Sequence, residues 1–329
     1  MIQPLTDWRK LHGNSFENSR VLITGGAGFI GSHLAFALLD LGADVTVLDD
    51  LSGGGDPKTL PKEVAYREGS ILDQALLAQC TNGRDFVFHQ AALGSVPASV
   101  KSPREFYDAN STGTLNVLEA ARKAGVRRVM FAASSSAYGD SPTLPKIETM
   151  PAMPRSPYAA TKVAGESYLA SWSASYGLDT ASLRYFNIFG PRQSADNAYA
   201  AVIAAFAKAL LPGKRPTIYG DGEQSRDFTF VDNAVHANLL AAASPNKIEG
   251  TVINVACGER VTVTQLARLM AELLGKPELT PIYMEERAGD VKHSVAELSR
   301  AKELLNYTPI VKFREGLAVT MEWYKHAMK

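Results

Sequence analysis

Two cysteines in 329 residues, Cys80 and Cys257, stand far apart in the chain and form no metal-binding spacing. They exclude a disulfide scaffold and predict reduced, buried thiols in a cytoplasmic protein. Net charge is also missing. Lys plus Arg and Asp plus Glu number 34 each, so no overall field draws the chain to nucleic acid or an anionic membrane. No apolar run approaches the roughly 18–20 residues of a membrane span, and there is no long repeat or low-complexity linker. Residues 1–20 place Asp7, Arg9, Lys10, His12 and Glu17 among few apolar side chains, unlike a signal peptide. Residues 1–19 read as a short leader, with a partial helix around residues 5–11.

What is present is a nucleotide-binding pattern. Val21-Leu-Ile-Thr24 reads as a buried strand running into Gly25-Gly26-Ala27-Gly28-Phe29-Ile30-Gly31 and then a helix through Leu39. Gly25 and Gly28 let backbone approach a pyrophosphate, and Gly31 lets the helix pack on the sheet. The spacing is G-x-x-G-x-x-G rather than the simpler G-x-G-x-x-G. A second strand, residues 44–50, ends in acid about twenty residues after the turn. A carboxylate there, Asp49, accepts from the adenosine ribose hydroxyls and repels a 2′-phosphate, which favours NAD over NADP.

Further strands are expected at residues 65–67, 85–89, 128–133 and 180–185, alternating with helices at 74–79, 103–124 and 158–176. That alternation predicts an α/β, Rossmann-type doubly wound parallel sheet. After Asn187 the pattern loosens, with turns at Gly190-Pro191, Pro212-Gly213 and Gly220-Asp-Gly222 and helices near 200–210, 231–243, 264–274 and 295–305. The organisation read from this is an NAD-binding domain over residues 20–187, with returning segments near 226–256, and a smaller C-terminal α/β lobe over 188–329. In that arrangement the strand at 251–255 rejoins the first sheet, and a ligand held by the smaller lobe lies over the cofactor.

The chemistry points to Ser134, Tyr158 and Lys162. Tyr158 and Lys162 are one helical turn apart and share a helix face. A phenol and an ammonium about 4 Å apart, at an effective dielectric near 20, interact by roughly 4 kcal/mol. This predicts a Tyr158 pKa lowered by about three units, which suits a proton carrier at neutral pH. Tyr-x-x-x-Lys alone is weak; on a surface helix it is a Tyr beside a snorkelling Lys.

These stretches together resemble the extended short-chain dehydrogenase/reductase family and, within it, the nucleotide-sugar 4-epimerases. The resemblance runs from Val21 nearly to the C-terminus. It includes His89-Gln90-Ala91-Ala92, Asn110-Ser-Thr-Gly-Thr114, Leu183-Arg-Tyr185-Phe-Asn187, Arg226-Asp227-Phe228 and Arg287-x-Gly289-Asp290. Gln90-Ala-Ala-Leu-Gly-Ser-Val96 and Ala198-Tyr-Ala-Ala-Val-Ile203 are similar to bacterial epimerases of UDP-N-acetylhexosamines.

The resemblance implies reversible C4 epimerisation of a UDP-sugar, UDP-GlcNAc to UDP-GalNAc, through a 4-keto sugar with tightly bound NAD and no metal. Tyr158 is then the acid–base, Ser134 relays its proton, and Lys162 binds the nicotinamide ribose. Cofactor contacts carry over to Gly25, Gly28, Phe29, Ile30, Gly31, Asp49, Ser70, Ile71, Ala91, Ala92, Asn110 and Tyr185. Ser70 replaces the Asp of many relatives. Substrate contacts carry over to Ser95, Ser135, Ser136, Asn187, Ala201, Val202, Tyr219, Arg226, Arg287, Asp290 and Ser294. Ser294 falls where relatives restricted to non-acetylated sugars carry a bulky Tyr; it also reads as the N-cap of a helix beginning near Val295. His89 and His236 read as structural. The family also implies a homodimer formed through the helices at 103–124 and 158–176.

Other substrates remain open on this reading, namely UDP-glucose or a UDP-uronate. A 4,6-dehydratase or decarboxylase is the first rival. Dehydratases of the family carry Asp-Glu next to the residue matching Ser134, where this chain has Ser135-Ser136. A non-catalytic NAD-binding protein is the second, and such proteins commonly lose the Tyr or Lys retained here.

Overall fold

Apolar runs such as Val21-Leu22-Ile23 and Val129-Met130-Phe131 are buried on both faces, which a parallel sheet covered by helices on two sides accommodates. The computed structural model describes residues 5–194, 202–286 and 292–328. Its first half runs β1 (Arg20–Thr24), α2 (Phe29–Asp40), β2 (Asp44–Asp49), β3 (Ala65–Glu68), α3 (Gln74–Thr81) and β4 (Phe86–His89), after a short α1 (Trp8–His12). Next come α4 (Val96–Lys101), α5 (Pro103–Phe106), α6 (Gly113–Ala124), β5 (Arg128–Ser134), α7 (Pro157–Tyr176) and β6 (Asp179–Tyr185).

The second half contributes β7 (Ile188–Phe189), α8 (Val202–Leu210), β8 (Thr217–Tyr219), β9 (Ser225–Arg226), β10 (Thr229–Phe230), α9 (Val231–Ala243) and β11 (Thr251–Val255). It finishes with β12 (Val261–Thr262), α10 (Val263–Leu273), β13 (Ile282–Met284), α11 (Ser299–Leu305) and α12 (Phe313–Ala327).

The main sheet is parallel, in the order β11-β6-β5-β4-β1-β2-β3. The direction of winding reverses between β1 and β4, where Thr24 sits opposite His89. That switch point opens a crevice beyond the strands' carboxyl ends. The strand at 251–255 does rejoin the sheet, pairing with β6 in the register Thr251↔Ala181 to Val255↔Tyr185. One face of the sheet is covered by α2 and α9, the other by α3, α6 and α7. A separate core of Phe189, Phe206, Phe230, Leu266 and Leu317 holds the smaller lobe together.

Three expectations change. The helix expected over residues 103–124 is wound in three parts, α5, a π-helical turn over Tyr107–Thr112, and α6. The helix expected at 295–305 begins only at Ser299. Upstream of it, Lys146 N–H bonds Val295 O at 2.8 Å and Glu297 N–H bonds Lys146 O at 2.9 Å, so a tertiary bridge claims the backbone a helix would need. Finally, the stretch read as a leader packs down from Thr6 onward. Phe16 is fully buried against Phe86, Thr6 Oγ1 donates to Asp232 Oδ2 at 2.6 Å, and His12 meets His236 at 3.0 Å.

Candidate active site

The sheet delivers Ser134 at the tip of β5 and Tyr158 in the first turn of α7. Helix α7 starts sharply because Ser156 Oγ accepts from Ala159 N–H at 3.2 Å and Pro157 occupies the first turn. Gly177 ends it at φ 70°, a left-handed cap. Tyr158 is half-buried and Lys162, one turn later, is 3 % exposed. Lys162 Nζ donates to Ala132 O at 2.8 Å, lies 4.9 Å from the Phe131 ring centre, and is 6.0 Å from that of Tyr158.

Burial reverses the expected titration of this pair. Desolvation drops the Lys162 ammonium to about 7, opposed by the nearby Glu166 carboxylate. Desolvation also raises the Tyr158 phenol above its ordinary value, and the hydrogen bond from Ser134 works in the opposite direction. The predicted lowering by Lys162 assumed a fully charged neighbour in a polar medium; burial of the pair removes both conditions. Ser134 is itself oriented, because Ser136 N–H and Oγ both donate to Ser134 Oγ, at 3.2 and 2.8 Å. Ser135 lies beside them in the turn Ser135–Tyr138.

Asn110 sits in the π-helical turn, an element often found where function constrains a helix. Its Nδ2 donates to Leu93 O at 3.1 Å and Thr161 Oγ1 at 3.0 Å, and its Oδ1 accepts from Leu93 N–H at 2.8 Å. It thereby ties the Ala91–Ala92 loop to the helix carrying Tyr158. Tyr185 OH is similarly committed, accepting from Asn238 at 2.6 Å and reaching Gln90 at 3.2 Å, with its pKa pushed up to about 12 by burial. His89 bonds Thr24 and Thr114 and is buried, and burial lowers its pKa to about 3, so it stays neutral.

On the smaller lobe, Asn187 (φ 39°) donates to Asp227 O at 3.1 Å. Arg226 Nη1 reaches Ser225 O at 3.0 Å, and Tyr219 ends β8. Val202 opens α8. Ser294 N–H donates to Ser225 O at 3.0 Å, which lays its segment along β9; Ser294 is not a helix cap, since α11 starts five residues later. Ser95 Oγ caps α4, accepting from Ala98 N–H at 3.2 Å. Ala201, Arg287 and Asp290 lie outside the described residues. Sequence reasoning missed Thr161, Gln90 and Asn238, whose roles emerge only from contacts between distant segments, although Ser134-x-Ser136 carried a readable local hydrogen-bond signal.

A model of the NAD dependent epimerase/dehydratase family matches residues 21–256. The chain belongs to that family. Within it the protein groups with the nucleotide-sugar 4-epimerases of the extended short-chain dehydrogenase/reductase type. It is 40 % identical to the UDP-N-acetylglucosamine 4-epimerase of Methanobrevibacter ruminantium, solved in complex with UDP-N-acetylmuramic acid; the TM-score is 0.90, covering 95 % of this chain and 100 % of that one. The UDP-glucose 4-epimerase of Mycolicibacterium smegmatis is 38 % identical over 93 % of this chain and 99 % of its own. A Thermus thermophilus UDP-glucose 4-epimerase in complex with NAD is 36 % identical, with TM-score 0.85 over 94 % of this chain and 99 % of that one.

NAD is the cofactor of this epimerase family member, and the glycine turn fits it. Gly25 has φ 70°, and a Cβ there would meet Ala91 N at 2.5 Å; one on Gly31 would meet Gly25 O at 2.2 Å. At Gly28, the N-cap of α2, an added Cβ would meet only Gly25 O, at 3.3 Å. No side chain caps α2 there, so the backbone N–H groups of its first turn, from Phe29 and Ile30, suit a pyrophosphate. Asp49 Oδ2 holds Ala27 N–H at 2.9 Å and Oδ1 holds Leu51 N–H at 2.8 Å, leaving further lone pairs for ribose hydroxyls. Ser70 and Ile71 follow β3, and Ile71 O accepts from Asn116 at 3.2 Å.

Proposed function

We propose that this nucleotide-sugar 4-epimerase interconverts UDP-GlcNAc and UDP-GalNAc, using Tyr158 as acid–base. Tyr158 takes the proton of the sugar 4-hydroxyl as C4 loses its hydride, and returns a proton to O4 after the 4-keto sugar has turned over and C4 has regained hydride on its opposite face. NAD, which the Gly25–Gly31 turn, Asp49 and Lys162 would hold, would supply reversible hydride transfer at C4 with no net redox change over a turnover. Ser134, held by Ser136, hydrogen-bonds the sugar O4 and shuttles its proton to Tyr158. Lys162, fixed by Ala132 O, binds the nicotinamide ribose. Asn187 and Arg226 engage the pyrophosphate, with Arg287 and Asp290 at the uridine side; guanidinium suits bidentate phosphate recognition.

The observation that carries the choice of sugar is Ser294, a small half-buried side chain on the segment that runs along Ser225. A 4-keto sugar must fit in two orientations, and a small residue there leaves room for an acetamido group. The pair Ser135-Ser136 supports epimerisation over dehydration, because neither residue supplies the acid and base that elimination across C5 and C6 requires. Tyr107, Leu115 and Tyr176 are at least 36 % exposed on the α5–α7 side, which supports the homodimer as a further part of this proposal. Among the described residues no helix is long and apolar enough to cross a membrane.

The test is to incubate the purified protein separately with UDP-GlcNAc and UDP-glucose and to resolve the products. UDP-GalNAc is expected from the first at the higher kcat/KM. The preparation should carry NAD without any being added, identified after acid release. Preference for UDP-glucose would overturn the choice of sugar, and a strict need for added NADPH would overturn the reaction cycle.

A further inference from the structure

Three residues assigned above to the UDP-sugar, Asn187, Arg226 and Ser294, come from separate stretches of chain, and all three are organised around Asp227. Asp227 is fully buried. Its Oδ1 accepts from Cys257 N–H at 3.0 Å, and its Oδ2 accepts from Gly258 N–H at 3.0 Å and Ala296 N–H at 3.1 Å. Its own carbonyl accepts from Asn187 Nδ2 at 3.1 Å. Arg226 precedes it directly.

The Ala296 bond continues a ladder. Ser225 N–H donates to Lys292 O at 2.9 Å and Ser225 O accepts from Ser294 N–H at 3.0 Å, as in parallel strands. Two residues further on, the main chain does not supply the next acceptor and the Asp227 carboxylate takes Ala296 N–H instead. On its other side, Gly258 at φ 74° turns two successive N–H groups, its own and that of Cys257, toward the same carboxylate. The end of β11, the Ser294 segment and β9 are therefore gathered on one side chain.

We propose that Asp227 is the positioning residue of the nucleotide-sugar pocket, setting Asn187, Arg226 and Ser294 relative to one another without touching the ligand. The inference rests on the proposed assignment of those three residues to UDP-sugar binding. An acid is required at this position because three donors converge on it and both oxygens accept. A carboxamide offers one accepting oxygen and turns an N–H group toward an N–H group. The hydrogen bonds of Asp227 run to Asn187, Cys257, Gly258 and Ala296 and not to the glycine turn or Tyr158, so its loss should weaken nucleotide-sugar binding while sparing NAD and the chemical step.

The experiment compares wild type with Asp227→Asn, both with their bound NAD. It measures UDP affinity by calorimetry, KM and kcat for the best UDP-sugar, and NAD per chain. UDP Kd and KM should rise together by about 10- to 100-fold, a typical loss when a group that orients a ligand-binding residue is removed, with kcat within about threefold. NAD content should be unchanged. Unchanged UDP affinity, or a fall in kcat at constant KM, would overturn the proposal. Ala296→Pro removes a single donor to the carboxylate and should move the same two constants less far. If both variants lose NAD and fold together, Asp227 is a folding residue and the proposal fails. If wild type itself does not bind UDP, the functional assignment fails instead.

Discussion

Glu166 grips Arg184 through two parallel hydrogen bonds of 2.7 Å, with the two side chains 6 % and 4 % exposed. Glu166 lies one turn beyond Lys162 on α7, and Arg184 sits on β6 with its guanidinium 4.5 Å from the centre of the Tyr138 ring. The pair therefore ties α7, which carries Tyr158 and Lys162, to the sheet. Its negative partner also opposes the desolvation of Lys162.

Glu166→Gln should destabilise the fold by about 3–5 kcal/mol, because it leaves Arg184 charged and buried without its partner. Urea denaturation measures this. A double replacement, Glu166→Leu with Arg184→Met, should be much less damaging, since it removes both charges at once. Equal losses in the single and double variants would show that the pair is not the source of the effect.

Tyr158→Phe should abolish turnover while leaving NAD content and UDP affinity near wild type, because only the ionisable oxygen is removed. Ser134→Ala should lose less, within the roughly 10²–10⁴-fold that acid–base groups contribute. Steady-state kinetics on both variants decide the matter. More than a small residue of kcat in Tyr158→Phe would remove it as the base.

Ser294→Tyr should depress kcat/KM selectively for the acetylated pair of UDP-sugars. Overfilling a tight pocket costs about 1–3 kcal/mol, or roughly 5- to 150-fold. Parallel assays with UDP-GlcNAc and UDP-glucose provide the comparison. Equal losses on the two would show that Ser294 does not control sugar choice.

Acid should destabilise the protein through four of its histidines, opposed in part by Asp227, whose carboxyl burial raises to about 6. Burial lowers His12 and His236 to about 4 and His33 and His89 to about 3, against 6.5 for an ordinary histidine. Between pH 6.5 and 4 the unfolded chain therefore binds protons that the folded chain refuses. This contribution to stability is whole above pH 6.5 and declines as pH falls, by up to about 1.4 kcal/mol per pH unit for each histidine fully protonated only when unfolded. Denaturation midpoints across that range test the sign, and His236→Asn should flatten the slope. A midpoint that does not move between pH 6.5 and 4.5 would contradict it.

The sheet strands and the helices around them were legible in sequence because local rules govern them. Val21-Leu22-Ile23, an apolar run rich in β-branched residues, reads as a strand covered on both faces, the glycines after it as a tight turn, and Tyr158-x-x-x-Lys162 as one face of a helix. The start of α11 was not legible, because Val295 and Glu297 are taken by Lys146 and Ala296 by Asp227, partners far away in sequence. For the same reason Ser294 looked like a helix cap and is instead the second rung of a ladder on Ser225. The direction in which Tyr158 titrates was out of reach too. Sequence places Lys162 beside it, but desolvation of both groups depends on how β5 and α7 close over them, and that is settled only when the chain is packed. Periodicity and turn chemistry act within a few residues and are written in the chain; dielectric environment and hydrogen-bond competition act between distant segments and belong to the tertiary structure.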